Sequence, residues 1–217
     1  MRWTMLIVRN LLLGCRGFNE IRDGLPGISR TLLAQRLRLL EQQGIVERLR
    51  AVDGPGHRYQ LTAAGEDLRG VCHALGVWGS RWLELQPVHY DAGMVLWGLA
   101  RKIPTERLPS RRAVIRFDVA DGERSRYWLL VHRPRPEVCV KASGFGVDLT
   151  VATTSEWLAK WFTGRVTLGQ AMREHLIEVE GPRHLERLLA SWGGLGTLAP
   201  HEGVLAPAVA AGGDLPV

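Results

Sequence analysis

Arg30, Thr31, Gln35, Arg36 and Arg38 fall within nine residues, and nothing acidic interrupts them before Glu41. Guanidinium and carboxamide groups pair in bidentate fashion with guanine and adenine edges, and guanidinium also with phosphate, so duplex nucleic acid is the partner these types suit. Leu32, Leu33, Leu37 and Leu40 recur at helical spacing and form the side expected to pack. Arg30, Thr31, Gln35 and Arg38 then point away from the core, with Arg36 at the border. Ser29 is placed to cap the start of this helix and Gly44 to close its end. Downstream, Arg48, Arg50, His57 and Arg58 flank the glycine-rich turn Asp53-Gly54-Pro55-Gly56, a geometry that sets charge against a minor groove or the sugar-phosphate backbone. Any single arginine here is explained equally well as a solvated surface residue; the reading rests on the ordered combination.

The elements that must position these residues follow from the surrounding pattern. Trp3–Leu13 has near-helical apolar spacing and stops at Gly14, and Phe18–Gly24 forms a second short helix before the Leu25-Pro26-Gly27 turn. After the Ser29–Gln43 helix the period changes: Val46, Arg48 and Arg50 alternate with Glu47, Leu49 and Ala51, and His57–Leu61 completes a hairpin. Thr62 caps a long helix reaching Trp82, along which Leu68, Val71, Leu75, Trp78 and Trp82 make one apolar stripe. That stripe packs either on its own domain or against the same helix of a second subunit. Two-fold pairing would set two recognition helices about 34 Å apart. The whole is the order of a winged helix-turn-helix.

The motifs carry a family resemblance. Arg2-Trp3-Thr4-Met5-Leu6-Ile7, Leu11-Leu12-Leu13-Gly14, Phe18-Asn19-Glu20-Ile21, Leu25-Pro26-Gly27-Ile28-Ser29, Gly44-Ile45-Val46 and Tyr59-Gln60-Leu61-Thr62-Ala63-Ala64-Gly65 occur in order. Residues 1 to 82 thereby resemble the HxlR-type winged-helix regulators. The resemblance implies a homodimer on an inverted-repeat operator, with Arg30, Thr31, Gln35, Arg36 and Arg38 on the helix that enters the groove. Members usually carry a further helix ahead of the Arg-Trp-Thr segment, often with an oxidant-sensing cysteine. This sequence starts just inside that point, so part of the usual dimer surface is expected to be missing. Cys15 does not match the sensing position and is expected to be buried or unreactive.

The bulk properties agree with a soluble globular protein that binds a polyanion. The 217 residues carry a formal charge of +6, almost all of the positive charge being arginine, with Lys102, Lys141 and Lys160 the only lysines. An arginine bias also arises from genome composition alone. Cys15, Cys72 and Cys139 are odd in number and widely spaced, which argues against a disulfide scaffold or a zinc site and fits a reducing cytoplasm. The first fifteen residues resemble a lipoprotein signal superficially, but Arg9 and Asn10 interrupt the apolar run such a signal needs. No stretch approaches the roughly 20 apolar residues of a membrane helix.

Beyond Gln86-Pro87 the rhythm becomes that of an α+β domain. A helix near Asp91–Arg101 precedes strands at Ala113–Val119, Tyr127–His132, Val138–Lys141 and Val147–Ala152. Helices at Ser155–Phe162 and Leu168–Glu174, a strand at Leu176–Val179 and a helix at Pro182–Trp192 follow. Asp118, Asp121 and Glu123 read as solvated carboxylates, and His132, His175 and His184 as scattered. No nucleophile–base pair, metal spacing or phosphate loop emerges, so no catalytic residue, metal or cofactor is expected and the chain is not read as an enzyme. Trp97, Trp128, Trp157 and Trp161 either fill a core or line an apolar ligand pocket. Asp148-Leu149-Thr150-Val151, Trp157-Leu158-Ala159, Trp161-Phe162-Thr163-Gly164-Arg165, Leu168-Gly169-Gln170-Ala171-Met172 and Ile177-Glu178-Val179-Glu180-Gly181-Pro182 are similar to the sterol carrier protein type 2 superfamily. That similarity covers the later half of the domain and implies a fold with an apolar tunnel for hydrophobic ligands.

The expected fold class is thus α+β: a winged helix-turn-helix DNA-binding and dimerisation domain over 1–87, a sterol-carrier-like α+β domain over 88–193, and a disordered tail over 194–217. The expected function is a cytoplasmic, homodimeric, sequence-specific regulator of transcription that binds double-stranded DNA and responds to a hydrophobic small-molecule effector, without a membrane. The alternative is a hydrophobic-ligand module whose winged helix serves protein contacts.

Overall fold

The first unit consists of α1 (Thr4–Leu12), α2 (Phe18–Asp23), α3 (Arg30–Gln42), β1 (Val46–Arg50), β2 (His57–Leu61) and α4 (Ala63–Trp82). A computed structural model describes residues 3–51, 56–82, 90–121, 123–142 and 144–196. The tip of the expected wing, 52–55, lies outside the described residues.

In α1 the spacing of Ile7, Val8 and Leu11 turns one face inward, where all three are fully buried. Asn10 is buried with them. Its Nδ2 donates to the Ile21 carbonyl at 2.9 Å, and its Oδ1 accepts from Arg9 Nη2 at 2.9 Å. The polar pair that breaks the apolar run of α1 therefore ties that helix to α2, as a buried amide must be satisfied to be tolerated. The Glu20 carboxylate holds the start of α2 by accepting from the Arg16 and Gly17 N–H groups at 2.7 and 3.1 Å. Gly27, with φ of 84°, makes the left-handed turn into α3 that side-chain-bearing residues avoid.

β1 and β2 pair antiparallel from Val46↔Leu61 to Arg50↔His57. On the other side of β2, the Tyr59 N–H donates to the Arg16 carbonyl at 2.8 Å, so the wing is fastened to the α1–α2 loop. Thr62 caps α4 as its position predicts, accepting from the Gly65 N–H at 3.2 Å. Gly65 is fixed by space: a Cβ there would sit 2.2 Å from the Ile45 carbonyl oxygen.

The second unit is α+β. Its elements are α5 (Ala92–Lys102), a 3₁₀ turn (Thr105–Arg107), β3 (Ala113–Asp121), β4 (Glu123–Val131), β5 (Glu137–Cys139), β6 (Leu149–Thr153), α6 (Ser155–Phe162), α7 (Leu168–Arg173), β7 (Ile177–Glu180) and α8 (Arg183–Ala190). The sheet order is β5-β4-β3-β6-β7, with β3 and β6 parallel and the other neighbours antiparallel. Ile115, Phe117 and Val119 alternate onto one face and are buried with Leu96, Leu99, Leu158 and Trp161 from the helices. On the other face Asp118 pairs with Arg116 at 3.0 Å and Arg126 at 3.1 Å. β4 begins at Glu123, before the expected Tyr127, because the polar residues at its start carry no apolar alternation to announce it.

Contacts with the second unit continue past residue 193, the expected end of that unit. The Gly194 and Gly196 N–H groups donate to the Trp161 and Phe162 carbonyls at 3.1 and 2.7 Å, and Leu195 packs on the core. The remainder of the expected tail, 197–217, lies outside the described residues.

α5 docks the second unit on the first. The Trp97 ring lies against Gly24, where a Cβ would come within 2.3 Å of Cζ2, and it packs on the winged-helix core. Arg101 stacks over Trp97 at 4.3 Å and its Nε reaches 3.1 Å from Cys15 Sγ. Among the described residues no helix is long and apolar enough to cross a membrane.

Candidate nucleic-acid interface

α3 is anchored by its leucines and opened by its polar side. Ser29 adopts extended φ and ψ and its Oγ accepts from the Leu32 N–H at 3.2 Å, closing the first turn. Leu33, Leu37 and Leu40 are buried, while Leu32 is half-buried. Arg30, Thr31, Gln35 and Arg38 are all exposed. At about 100° per residue these four span about 140° of the helix circumference, with Arg38 near the middle. Arg36 sits at the border as expected, half-buried, its Nε enclosed without a hydrogen-bond partner among the described residues. The Arg30 guanidinium lies 5.6 Å from the Phe18 ring centroid, which links the start of α3 to α2. The face is cationic and about 20 Å long for thirteen residues, dimensions that a major groove about 12 Å wide accepts lengthwise.

The wing residues do not act as one group. Arg48, Arg50 and His57 share one face of the hairpin by register, and Arg48 Nη2 lies 3.0 Å from His57 Nδ1. Arg58 sits opposite Leu49 on the other face. Strand alternation produces that split, because residues one apart point to opposite sides. The sequence expectation of four residues flanking one tip is therefore divided three to one.

On α4 the expected interface stripe also divides. Leu68 packs on its own winged-helix core, whereas Val71, Leu75, Trp78 and Trp82 are exposed at 48, 53, 54 and 59%. Four large apolar side chains in consecutive turns facing solvent are a patch of the kind that marks an interaction surface.

The four tryptophans expected at a ligand pocket are not brought together. Trp161 is 1% exposed and fills the core of the second unit, and Trp157 is half-buried with the Lys160 ammonium 4.0 Å from its ring. Trp128 lies on the opposite face of the sheet, across from Arg116, and Trp97 is at the junction. Of the four, Trp97 alone lines a cavity of about 900 Å³ between the two units.

Sequence reasoning missed the groups at this junction, because their partners are remote in sequence. Glu20 is partly desolvated, which raises its pKa, but the Arg16 and Gly17 N–H bonds and the nearby Arg101 and Arg135 charges outweigh this and hold it below the ordinary carboxylate value. Burial pushes the Cys15 thiol up, against the hydrogen bond from Arg101. Cys15 is fully buried, as expected for an unreactive thiol. Asp121, read from sequence as solvated, accepts from the Ser155 N–H at 2.9 Å at the start of α6. No group of three or more potential metal ligands occurs among the described residues.

Comparison with known proteins supplies the context. Residues 1–87 match the HxlR-like helix-turn-helix family. An HTH-type transcriptional regulator of Mycobacterium tuberculosis is 40% identical over 83 residues, which cover 38% of this chain and 52% of that one. The chain thus spans about half the length of the mycobacterial relatives it matches. The regulator YodB of Bacillus subtilis is 38% identical over 84 residues, 38% of this chain and 75% of YodB. Among solved structures, the UbiJ-SCP2 ubiquinone synthesis protein is similar over 59% of this chain and 98% of its own, with 19% identity and a TM-score of 0.36. With its helix-turn-helix and wing in the expected order and a relative matched over three quarters of its length, the chain belongs to the HxlR-type family of helix-turn-helix transcriptional regulators.

Proposed function

We propose that the chain is a sequence-specific regulator of transcription that binds duplex DNA as a homodimer and answers to a hydrophobic small molecule. The observation that carries this reading is the exposed Arg30, Thr31, Gln35 and Arg38 face of α3, held outward by buried Leu33, Leu37 and Leu40. Those four side chains match base edges, and Ser29 and Arg36 flank them at the start and border of the helix. Arg48, Arg50 and His57 reach from one face of the wing toward the backbone, and Arg58 from the other. The exposed α4 stripe of Val71, Leu75, Trp78 and Trp82 supports pairing with the same helix of a second copy. An effector acts on such a dimer by binding one separation of the two recognition helices better than another, with a coupling of about 1–3 kcal/mol.

The test is the affinity for operator duplex as salt is raised. Neutralising about six to ten phosphates predicts a loss of about 10³- to 10⁵-fold between about 50 and about 200 mM salt. A flat response contradicts nucleic-acid binding through these arginines.

A further inference from the structure

The junction of the two units forms an open cleft of about 900 Å³, within the range of roughly 300–1,000 Å³ typical of small-molecule sites. Its walls come from both sides: Glu20 and Pro26 from the winged helix, Trp97 and Arg101 from α5, Tyr127 from β4 and Arg135 ahead of β5. Trp97, Tyr127 and Met94 give it flat or adaptable apolar surface, and Pro134 and Pro136 from the β4–β5 loop and Val138 from β5 also line it. Flat walls of this kind favour a planar ring system.

The polar groups decide what else the occupant carries. The wall carries four carboxylates, Glu20, Asp23, Asp91 and Glu137, each with a neighbour that holds it in place. Glu20 accepts two backbone N–H bonds, Asp91 caps α5 through the Met94 N–H at 2.9 Å, Asp23 pairs with Arg22 at 3.1 Å, and Glu137 lies 3.7 Å from His132. The guanidiniums are left with donors to spare. Arg101 commits its Nε to Cys15, and Arg135 makes no hydrogen bond or ion pair among the described residues. Both arginines act electrostatically on the same Glu20, so two cations share one anion at that end of the cleft. A carboxylate is the group those spare donors suit, because a guanidinium fork binds it in bidentate fashion.

We propose that this cleft binds a planar aromatic carboxylic acid, its ring against Trp97 and Tyr127 and its carboxylate on Arg101 and Arg135. Binding of the acid stands independently, but its regulatory consequence rests on the function proposed above. The site borders the α2–α3 turn through Pro26, so an occupant bears directly on the segment that carries the recognition helix. The second unit then contributes to the regulator by closing a pocket over the winged helix, instead of holding the ligand inside its own core.

The experiment uses 2-naphthoate, with the neutral 2-naphthamide and the cationic 2-naphthylmethylammonium as matched probes, in equilibrium dialysis against the full chain. The acid is expected to bind at least about tenfold more tightly than either matched probe, and Arg135→Met to weaken the acid about tenfold while leaving the amide unchanged, the loss expected for one charge-assisted pair. Arg135 makes no hydrogen bond or ion pair among the described residues, so the variant is expected to keep its fold, which circular dichroism verifies. Absence of naphthoate binding, equal binding of the amide, tighter binding of the cation, or indifference to Arg135→Met each overturns the site. Operator affinity is measured in the same samples. Naphthoate bound without any operator binding retains the site and refutes the DNA-reading function. Operator binding without bound naphthoate does the reverse.

Discussion

α3 and α4 each present a long face to solvent, and they do so in opposite ways. α3 buries its leucines and exposes arginine, threonine and glutamine, so its packing is complete without a partner and its outer face suits a polar one. α4 packs Leu68 and Cys72, both half-buried, on the winged-helix core and exposes two tryptophans, a leucine and a valine, so its packing is unfinished. Under the proposed function the difference suits the two faces to different partners: a hydrated, charged groove for one and a second apolar surface for the other.

The contrast breaks first at the leucines. Leu37→Ala leaves every exposed residue of α3 in place yet removes a fully packed side chain, and is expected to cost about 2–5 kcal/mol in chemical denaturation. Trp78→Glu is expected to do the opposite. It should leave the fold within about 0.5 kcal/mol, since the side chain is exposed, but weaken self-association at least about tenfold in sedimentation analysis. A destabilised fold with unchanged self-association would show that the α4 stripe serves its own domain after all.

The smallest expected effect sharpens the comparison on the side of α2, which carries α3. The Glu20 pKa is depressed in the folded protein, so its contribution is fully present above the unfolded carboxylate value of about 4.3 and is lost as pH falls through the lower folded value. Glu20→Gln should therefore flatten the acid limb of the stability–pH curve while leaving its slope near neutrality unchanged.

Local pattern carried the recognition helix. Ser29, the leucine spacing and Gly44 act within one element, and each was legible before any contact was known. The wing's alternation was legible for the same reason, although the side on which Arg58 falls required the register. The limits of the second unit were less so: β4 begins with polar residues that carry no apolar alternation, and Leu195 is held by contacts to α6 that no local pattern announces. The ligand-pocket expectation for Trp97, Trp128, Trp157 and Trp161 rested on residue type alone. Burial separates them, because Trp97 finds Gly24 far back in the chain while Trp128 and Trp161 lie on opposite sides of one sheet. Arg9 and Asn10 announced themselves only as an interruption. A buried amide within an otherwise apolar helix face was the available sign of a tie between helices.

Selection of bound duplexes from a random pool tests the central claim most directly, since it asks whether the outer face of α3 reads sequence. The expected outcome is enrichment of an inverted repeat whose half-sites lie about one helical turn apart, with Gln35→Ala relaxing the preference at a defined position and Arg58→Ala weakening all duplexes alike. Recovery of no preferred sequence, or a preference indifferent to Gln35→Ala and Arg38→Ala, would contradict it.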